Sequence, residues 1–596
     1  MNIRNIAIIA HVDHGKTTLI DQLLKQSGLF RDNEHTEDRM MDSMDLEKER
    51  GITISAKNAS FTYRDTKVNI IDTPGHSDFG GEVERILNMV DGAIVLVDSS
   101  EGPLPQTRFV LSKALEQDIK VIVCVNKIDR PDRRIDEVLD EMFDLFIDVD
   151  ATDEQADFET LYAVGRDGWA TTNPDEKTDD LKVMFDWIID KLPEPRVTPE
   201  KPLQLRVTNI DYSEYVGRLA LGRIQSGSIS KGQDVTLMQK NKNVNFRVSA
   251  LYTFDGMKQV PVEKLEAGDV GVIAGMEDVE IGDTIADRET PVALERIEVE
   301  EPTVSMVFSV NDGPFAGLEG KKVTSRNIKD RLEKELLHNV AIKVEETDTN
   351  DAFRVMGRGE LQMAVIIEQM RREGFELLVS KPQVIIKNID GVKSEPTEMV
   401  TIDVPEEHVG VVTEKLGMRK GVMQDMSNKG SGRSRVKFLI PSRGLIGYRS
   451  EFLTDTRGTG LMSSEFAGWA PYAGDISTRR NGIMVADRKG GVTSYALAAL
   501  EPRGRLFVYP GVEVYQGMVI GEHSKESNLE VNPCKEKKLT NVRASGTDDA
   551  VRLSPVKPMS LEYAMEWITD EELVEVTPEN IRIRCRELDP NKRKRK

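Results

Sequence analysis

The chain is predicted to be a multidomain α/β protein: a P-loop domain, a β-barrel domain, two ferredoxin-like α+β domains and a mostly β C-terminal domain. Three observations predict this. Residues Ala10 to Thr17 read AHVDHGKT between an apolar strand, Asn5 to Ala10, and a helix beginning near Thr18, the strand-loop-helix setting of a phosphate-cradling loop. After a proline-punctuated stretch the chain changes to short β-branched runs separated by turns. Beyond Pro302 the order β-α-β-β-α-β occurs twice, and 596 residues are too many for one hydrophobic core.

Up to Pro195, apolar strands alternate with helices, which predicts a mostly parallel, doubly wound sheet. The strands are Asn5 to Ala10, Val68 to Asp72, Ala93 to Asp98, Val121 to Asn126 and Thr160 to Val164. Ile20, Leu23, Leu24 and Ser27 give the first helix a core-facing stripe. Pro193, Pro195, Pro199 and Pro202 end the domain. From Leu203 to Pro291, turns at Ser226-Gly227, Lys231-Gly232, Asp255-Gly256 and Gly268-Asp269 separate short strands, which predicts a small barrel. The first ferredoxin-like module has strand Thr303 to Val310, helix Thr324 to His338, strands near Ala341 to Glu345 and Phe353 to Met356, helix Arg358 to Glu373 and strand Glu376 to Ser380. The second has strand Met399 to Val404, helix Glu406 to Gly417, strands Gly421 to Met426 and Ser434 to Ile440, and helix Gly444 to Leu453. From Asn481 onward glycine-rich β-like segments dominate, with a helix at Leu561 to Ile568 and a strand at Ile581 to Arg586, read as a separate domain.

Composition excludes several classes. Cys124, Cys534 and Cys585 are far apart and form no disulfide or zinc pattern, so a reducing cytoplasm is expected. The apolar run Ile6 to Ala10 reads as a buried strand rather than a signal peptide, and no stretch reaches the ~18 apolar residues of a membrane span. The net charge of −22 is uneven: residues 1–380 carry −26 and the rest +4. Between Lys415 and Arg449 there are nine basic residues and one acidic, Asp425, and the chain ends in five basic residues. These segments are where polyanion contact is expected.

Four motifs occur in order, each fitted to one part of a nucleotide. In the first loop, Asp13, His14, Gly15, Lys16, Thr17 and Thr18 surround the phosphates, Lys16 neutralises the terminal ones and the Thr17 hydroxyl holds Mg²⁺. Its departure from the usual pattern is Ala10 in place of Gly. Asp72 of DTPG ends an apolar strand and is expected to reach Mg²⁺ through a water, while the Gly75 N–H senses the γ-phosphate. Thr53 of RGITI is expected to close over Mg²⁺ and the γ-phosphate when that phosphate is present. Asn126, Lys127, Ile128 and Asp129 end another strand, and an Asp there takes the N1 and N2 hydrogens of guanine, a donor pair adenine lacks. Val164 and Gly165 stand where GTPases usually carry a Ser-Ala pair facing the guanine O6, leaving a backbone N–H at Gly165 for that contact.

The set AHVDHGKTT, RGITI, DTPGH and NKID, with a barrel and two ferredoxin-like modules, resembles the translational GTPases, elongation factor G and LepA among them. SRGLIGYRSEF (Ser442 to Phe452), GTG (Gly458 to Gly460), RRNG (Arg479 to Gly482) and KKLTNVRASGTDDAV (Lys537 to Val551) resemble more narrowly the BipA/TypA family, over essentially the whole chain. The resemblance implies a P-loop GTPase domain at 1–198, a barrel domain at 199–300, ferredoxin-like domains at 301–382 and 383–480, and a family-specific domain with a basic tail at 481–596. It makes His76 the residue that positions the hydrolytic water, assisted by Lys16 and Thr53, with Val12 and Ile52 as an apolar gate. Asp13 matches a carboxylate near the phosphates that can share a monovalent cation. No arginine of the first domain is spaced as a cis finger, so activation is expected in trans.

The resemblance also implies a ribosome-activated GTPase that binds the 70S ribosome with GTP and acts in ribosome assembly or in translation under stress. Ribosomal RNA and the acceptor end of A-site transfer RNA are the implied contacts, through Lys420, Lys429, Arg433, Arg435, Lys437, Lys535, Lys537, Lys538 and Arg543. Neither membrane nor DNA is an expected partner, and the chain is expected to be a cytoplasmic monomer. The alternatives are a GTP-gated regulatory binding protein with incidental hydrolysis and a LepA-like factor, against which RRNG and KKLTNVRASGT argue.

Overall fold

The computed structural model describes all residues except 1, 12, 29–44, 51–55, 75–79, 214, 298–300, 340, 429–431, 477–480, 537–552, 557–558 and 594–596. The chain divides into two compact units, Met1–Glu300 with Leu337–Ala341 and Glu301–Leu336 with Ile342–Lys596.

The first unit begins with β1 (Asn2–Ala10), α1 (Lys16–Gln26), α2 (Asp45–Arg50), β2 (Lys57–Tyr63), β3 (Thr66–Asp72), α3 (Gly80–Leu87), β4 (Gly92–Asp98), α4 (Pro105–Glu116), β5 (Lys120–Asn126), α5 (Ile135–Asp148), α6 (Asp153–Ala156), β6 (Glu159–Val164), β7 (Trp169–Thr171) and α7 (Lys182–Asp190). The strands form one sheet in the order β2-β3-β1-β4-β5-β6-β7. The five predicted strands are its parallel centre. They are continuous apolar runs because helices cover both faces: every residue of β4, GAIVLVD, is buried. The two strands without a sequence signal, β2 and β7, are antiparallel edges. Chain order reverses at β1, between β3 and β4, and the crevice at such a switch point is where open α/β sheets bind ligands.

Residues 204–287 form an eight-stranded antiparallel sheet with a two-stranded ribbon, Ser228–Ser230 paired to Lys264–Glu266. Ile229 and Leu265 of the ribbon join Leu205, Val235, Leu251 and Ile273 in one core. The turn spacing predicted a small barrel; the described strands of this stretch form an antiparallel sheet and a ribbon around one core. A second core runs through both parts of the unit, with Ile86, Met89, Val95 and Phe146 packed with Leu219, Phe254 and Val272. Polar contacts fix the same junction. Ser60 and Gly256 exchange two backbone hydrogen bonds at 2.9 and 2.8 Å, and Lys67 pairs with Asp269 at 2.7 Å.

In the second unit, Val304–Val310, Ser325–His338, Lys343–Glu346, Ala352–Gly357, Glu360–Arg372 and Leu377–Val379 follow the predicted β-α-β-β-α-β order. Numbered in chain order, their strands lie 2-3-1-4 across the sheet, the split-βαβ arrangement. Val392–Pro405, Glu406–Met418, Val422–Asn428, Arg433–Pro441, Tyr448–Asp455 and Leu461–Pro471 repeat it. The last strand of this second module, Leu461–Pro471, had no clear signal because its residues are half-buried or exposed throughout.

The C-terminal segment, expected as a separate domain, also pairs with the first module. It has a helix at Ser494–Leu500 and a small sheet of its own, but Glu572–Val576 pairs antiparallel with Leu377–Val379, and Ile581–Cys585 follows it. The first module's sheet is thereby extended to six strands in series. Leu561, Met565, Val574 and Ile583 share a core with Phe308, Ile367 and Leu377. The physical reason is edge pairing. A sheet ending at the short strand Leu377–Val379 leaves unpaired N–H and C=O groups, and Glu572–Val576 covers them.

Candidate nucleotide site

The first loop is shaped by two left-handed residues, Asp13 (φ 67°) and Gly15 (φ 92°). Only Gly fits at position 15, where a Cβ would lie 2.5 Å from Asn126 Nδ2. Lys16 opens α1 and its ammonium is buried between the Asp72 carboxylate, at 2.7 Å, and the Thr73 carbonyl. Thr73 is anchored by its hydroxyl to the Ile8 carbonyl at 2.8 Å. The loop after β1 and the end of β3 are therefore joined through one cation. The Asp72 side chain is fully buried at the strand's C-terminal end.

The NKID motif is clasped to the same loop. Asn126 Nδ2 donates to the His14 carbonyl at 2.8 Å, and Lys127 Nζ donates to the Asp13 carbonyl at 2.7 Å. Lys127, itself left-handed (φ 60°), also pairs with Asp98 at 2.8 Å. Asp98, at the end of β4, is a site residue that sequence reasoning missed. Burial pushes its carboxyl up, but hydrogen bonds from Lys127 and from the Ser100 N–H and hydroxyl outweigh burial and hold it far below the usual range. Its signal is DSSEG directly after an apolar strand, a turn in which Asp98 accepts from Ser100 N at 2.8 Å and Glu101 N at 3.3 Å.

Other residues lie differently from the simple expectation. The His14 side chain turns inward, with Nδ1 3.3 Å from the Leu96 carbonyl and Nε2 3.6 Å from Glu101, so it is the His14 backbone that faces the loop. Thr17 and Thr18 are half-buried in the first turn of α1, and Ile128 and Val164 are buried together in a small apolar cluster. The Gly165 N–H, expected to face the guanine O6, donates to Asn126 Oδ1 at 2.9 Å, so contact with a base would be a shared bond. Asp129 pairs with the exposed Arg166 at 3.2 Å. Val12, Ile52, Thr53, Gly75 and His76 lie outside the described residues, as do Lys429, Lys537, Lys538 and Arg543.

The basic window 415–449 proves less cationic in space than in sequence. Acids from outside it fold back onto it: Lys415 pairs with Glu451 and Asp455 at 2.6 and 2.7 Å, and Arg419 with Glu451 at 2.9 Å. Arg433 pairs with Asp403 at 2.6 Å, and Arg435 approaches the same carboxylate at 3.9 Å. Lys437 is half-buried on that strand, whereas Lys420 and Lys535 are exposed. No helix of the described residues is long and apolar enough to cross a membrane.

Comparison with known proteins adds the lineage. Four family models match in succession: the elongation factor Tu GTP binding domain over residues 1–195, elongation factor Tu domain 2 over 217–286, the elongation factor G C-terminus over 392–480 and the TypA/BipA C-terminal domain over 481–590. A crystal structure of a protein from Thermus thermophilus has the same kind of fold, with a TM-score of 0.56 at 17% identity over 79% of this chain and 97% of that one. Relatives named large ribosomal subunit assembly factor BipA are 52% identical in Salmonella typhimurium and 50% in Bacillus subtilis, each over 100% of this chain and over 98% and 97% of their own lengths. With that identity sustained from the phosphate loop to the last strands, the chain belongs to the BipA/TypA family of elongation-factor-G-like GTPases.

Proposed function

We propose that this chain is a ribosome-activated GTPase that binds the 70S ribosome in its GTP form, hydrolyses GTP to GDP and phosphate, and serves assembly of the large ribosomal subunit, the role named for its relatives. The observation that carries the reading is a buried cation, Lys16, bridging Asp72 and Thr73 in a loop clasped by Asn126 and Lys127. A γ-phosphate entering this loop competes for Lys16, and the exchange is felt directly at Asp72-Thr73, immediately before Gly75 and His76.

The division of labour follows from phosphoryl-transfer physics, where positioning and electrostatics do most of the catalysis. Backbone N–H groups of 13–18 and Lys16 stabilise charge on the phosphate oxygens. Asp129 and the Gly165 N–H read guanine. Thr53 closes over the γ-phosphate, and His76 aligns the attacking water once the gate of Val12 and Ile52 opens. The oxygen donors of Thr17 and Asp72 suit a hard divalent cation, so they and Thr53 would hold Mg²⁺, which supplies further charge neutralisation when bound; Asp13 would share a monovalent cation. Lys420, Lys429, Arg433, Arg435, Lys437, Lys535, Lys537, Lys538 and Arg543 are the cations we assign to ribosomal RNA and the transfer RNA acceptor end. We read the protein as a cytoplasmic monomer.

The test is the His76→Ala variant. It should bind GTP as the parent does and lose ribosome-stimulated turnover by about 10³-fold or more, the lower end of what activation in trans supplies. Stimulated turnover at the parent rate would remove His76 from the mechanism.

A further inference from the structure

At the far side of the first sheet from the phosphate loop, a cavity of about 170 Å³ lies where the turns preceding β4 and β5 meet the eight-stranded sheet. Its polar lining includes Arg196, Arg206 and Arg223 together with Asn88, Asp91 and Asp118. Two carboxylates are already used: Asp91 pairs with Arg223 at 2.6 Å and Asp118 with Arg196 at 2.9 Å. Arg206 has a neutral partner only, Asn88 Oδ1 at 2.9 Å, and among the described residues no carboxylate lies within ion-pair distance of it. Arg206 and Arg223 are register partners on neighbouring antiparallel strands, so two like charges stand directly opposite each other. Arg223 is only 9% exposed, and the Nε of each of these two arginines is buried with no acceptor among the described residues.

Such an arrangement is costly without a counter-charge, because a desolvated guanidinium beside another one loses hydration and gains repulsion. Burial lowers the Arg206 pKa; the charge of Glu295, farther than ion-pair distance, offsets this in part, and the Arg223 charge lowers it by a smaller amount. An orphaned buried donor in a recess calls for an acceptor.

We propose that this cavity is a binding site for a small multivalent oxyanion of the phosphate or pyrophosphate class, gripped by Arg206 and Arg223 with Arg196 at its rim. Such an anion ties the strands of Arg206 and Arg223 to the turns at Asn88 and Asp91, and so stiffens the junction between the nucleotide sheet and the antiparallel sheet. The site is independent of GTP chemistry. A recess of this size suits a compact anion better than a nucleic-acid backbone, which tracks open grooves.

The experiment is calorimetric titration of the full chain, saturated with GDP, with pyrophosphate at constant ionic strength. One site is expected, weakened about tenfold or more in Arg206→Gln, as loss of a charge-assisted bond implies, and retained in Lys16→Ala titrated without GDP. Arg196→Gln, at an exposed position, should weaken binding less and serves if Arg206→Gln does not fold. Absence of heat at constant ionic strength, parent affinity in both arginine variants, or loss in Lys16→Ala would each overturn the proposal. Displacement of pyrophosphate by a short RNA oligonucleotide would overturn the small-anion reading in favour of a backbone phosphate.

Discussion

Lys127 connects three segments through one ammonium group: it donates to the Asp13 carbonyl of the phosphate loop and pairs with Asp98 at the end of β4, while its own backbone leads into Asp129. Its partner Asp98 has a strongly depressed carboxyl, which makes the pair a pH-dependent contribution. The sign follows from linkage: an acid whose folded value lies below its unfolded value of about 4 stabilises the fold above that pH, and the contribution drains away as pH falls toward the folded value. Asp98→Asn should therefore lower neutral-pH stability by about 2 kcal/mol, the scale of a charged hydrogen bond, and lose less between pH 4 and 2 than the parent does. Parallel acid-unfolding curves would contradict this. Asp129→Asn should shift base preference from guanine toward xanthine, because an amide cannot accept from both N1–H and N2–H; unchanged GTP selectivity in competition would overturn that role. Residues of this kind differ in legibility. Lys16, Asn126 and Asp129 stand out in sequence because phosphate and guanine would demand particular side chains at particular spacings, and the structure places Lys16 and Asn126 against the loop after β1. Asp98 does not, since an Asp ending an apolar strand is common and its meaning lies in Lys127, distant in sequence.

Among elements, the parallel strands β1, β3, β4, β5 and β6 were legible because burial on both faces leaves unbroken apolar runs. The edges β2 and β7 were not, since an edge strand needs only one good neighbour. A longer-range pairing concerns the last strands. Ile581 to Arg586 reads as a strand in sequence, but Ile581–Cys585 pairs with Glu572–Val576, whose other neighbour, Leu377–Val379, lies nearly two hundred residues earlier. No local pattern encodes such a register. Ile583 is buried in the core this creates. Ile583→Ala should cost about 2–4 kcal/mol and accelerate amide exchange in Leu377–Val379. Faster exchange confined to residues beyond 480 would mean that the segment folds by itself.

For the whole molecule, net charge was a poor guide and its distribution a partial one. The basic stretch at 415–449 is largely answered by Asp403, Glu451 and Asp455, acids that a linear window leaves out, so the free cations are fewer: Lys420 and Lys535 are the exposed ones among the described residues of the expected set. The succession of the nucleotide-binding, second and elongation-factor-G-like modules, by contrast, was legible, because each period of strands and helices is local. On the proposed function, the link to the nucleotide would be exchange at Lys16, which is held between Asp72 and Thr73. Co-sedimentation of the full chain with 70S ribosomes measures that link most directly. Pelleting with a non-hydrolysable GTP analogue and release with GDP is the predicted result, and equal pelleting in both nucleotide states would contradict it.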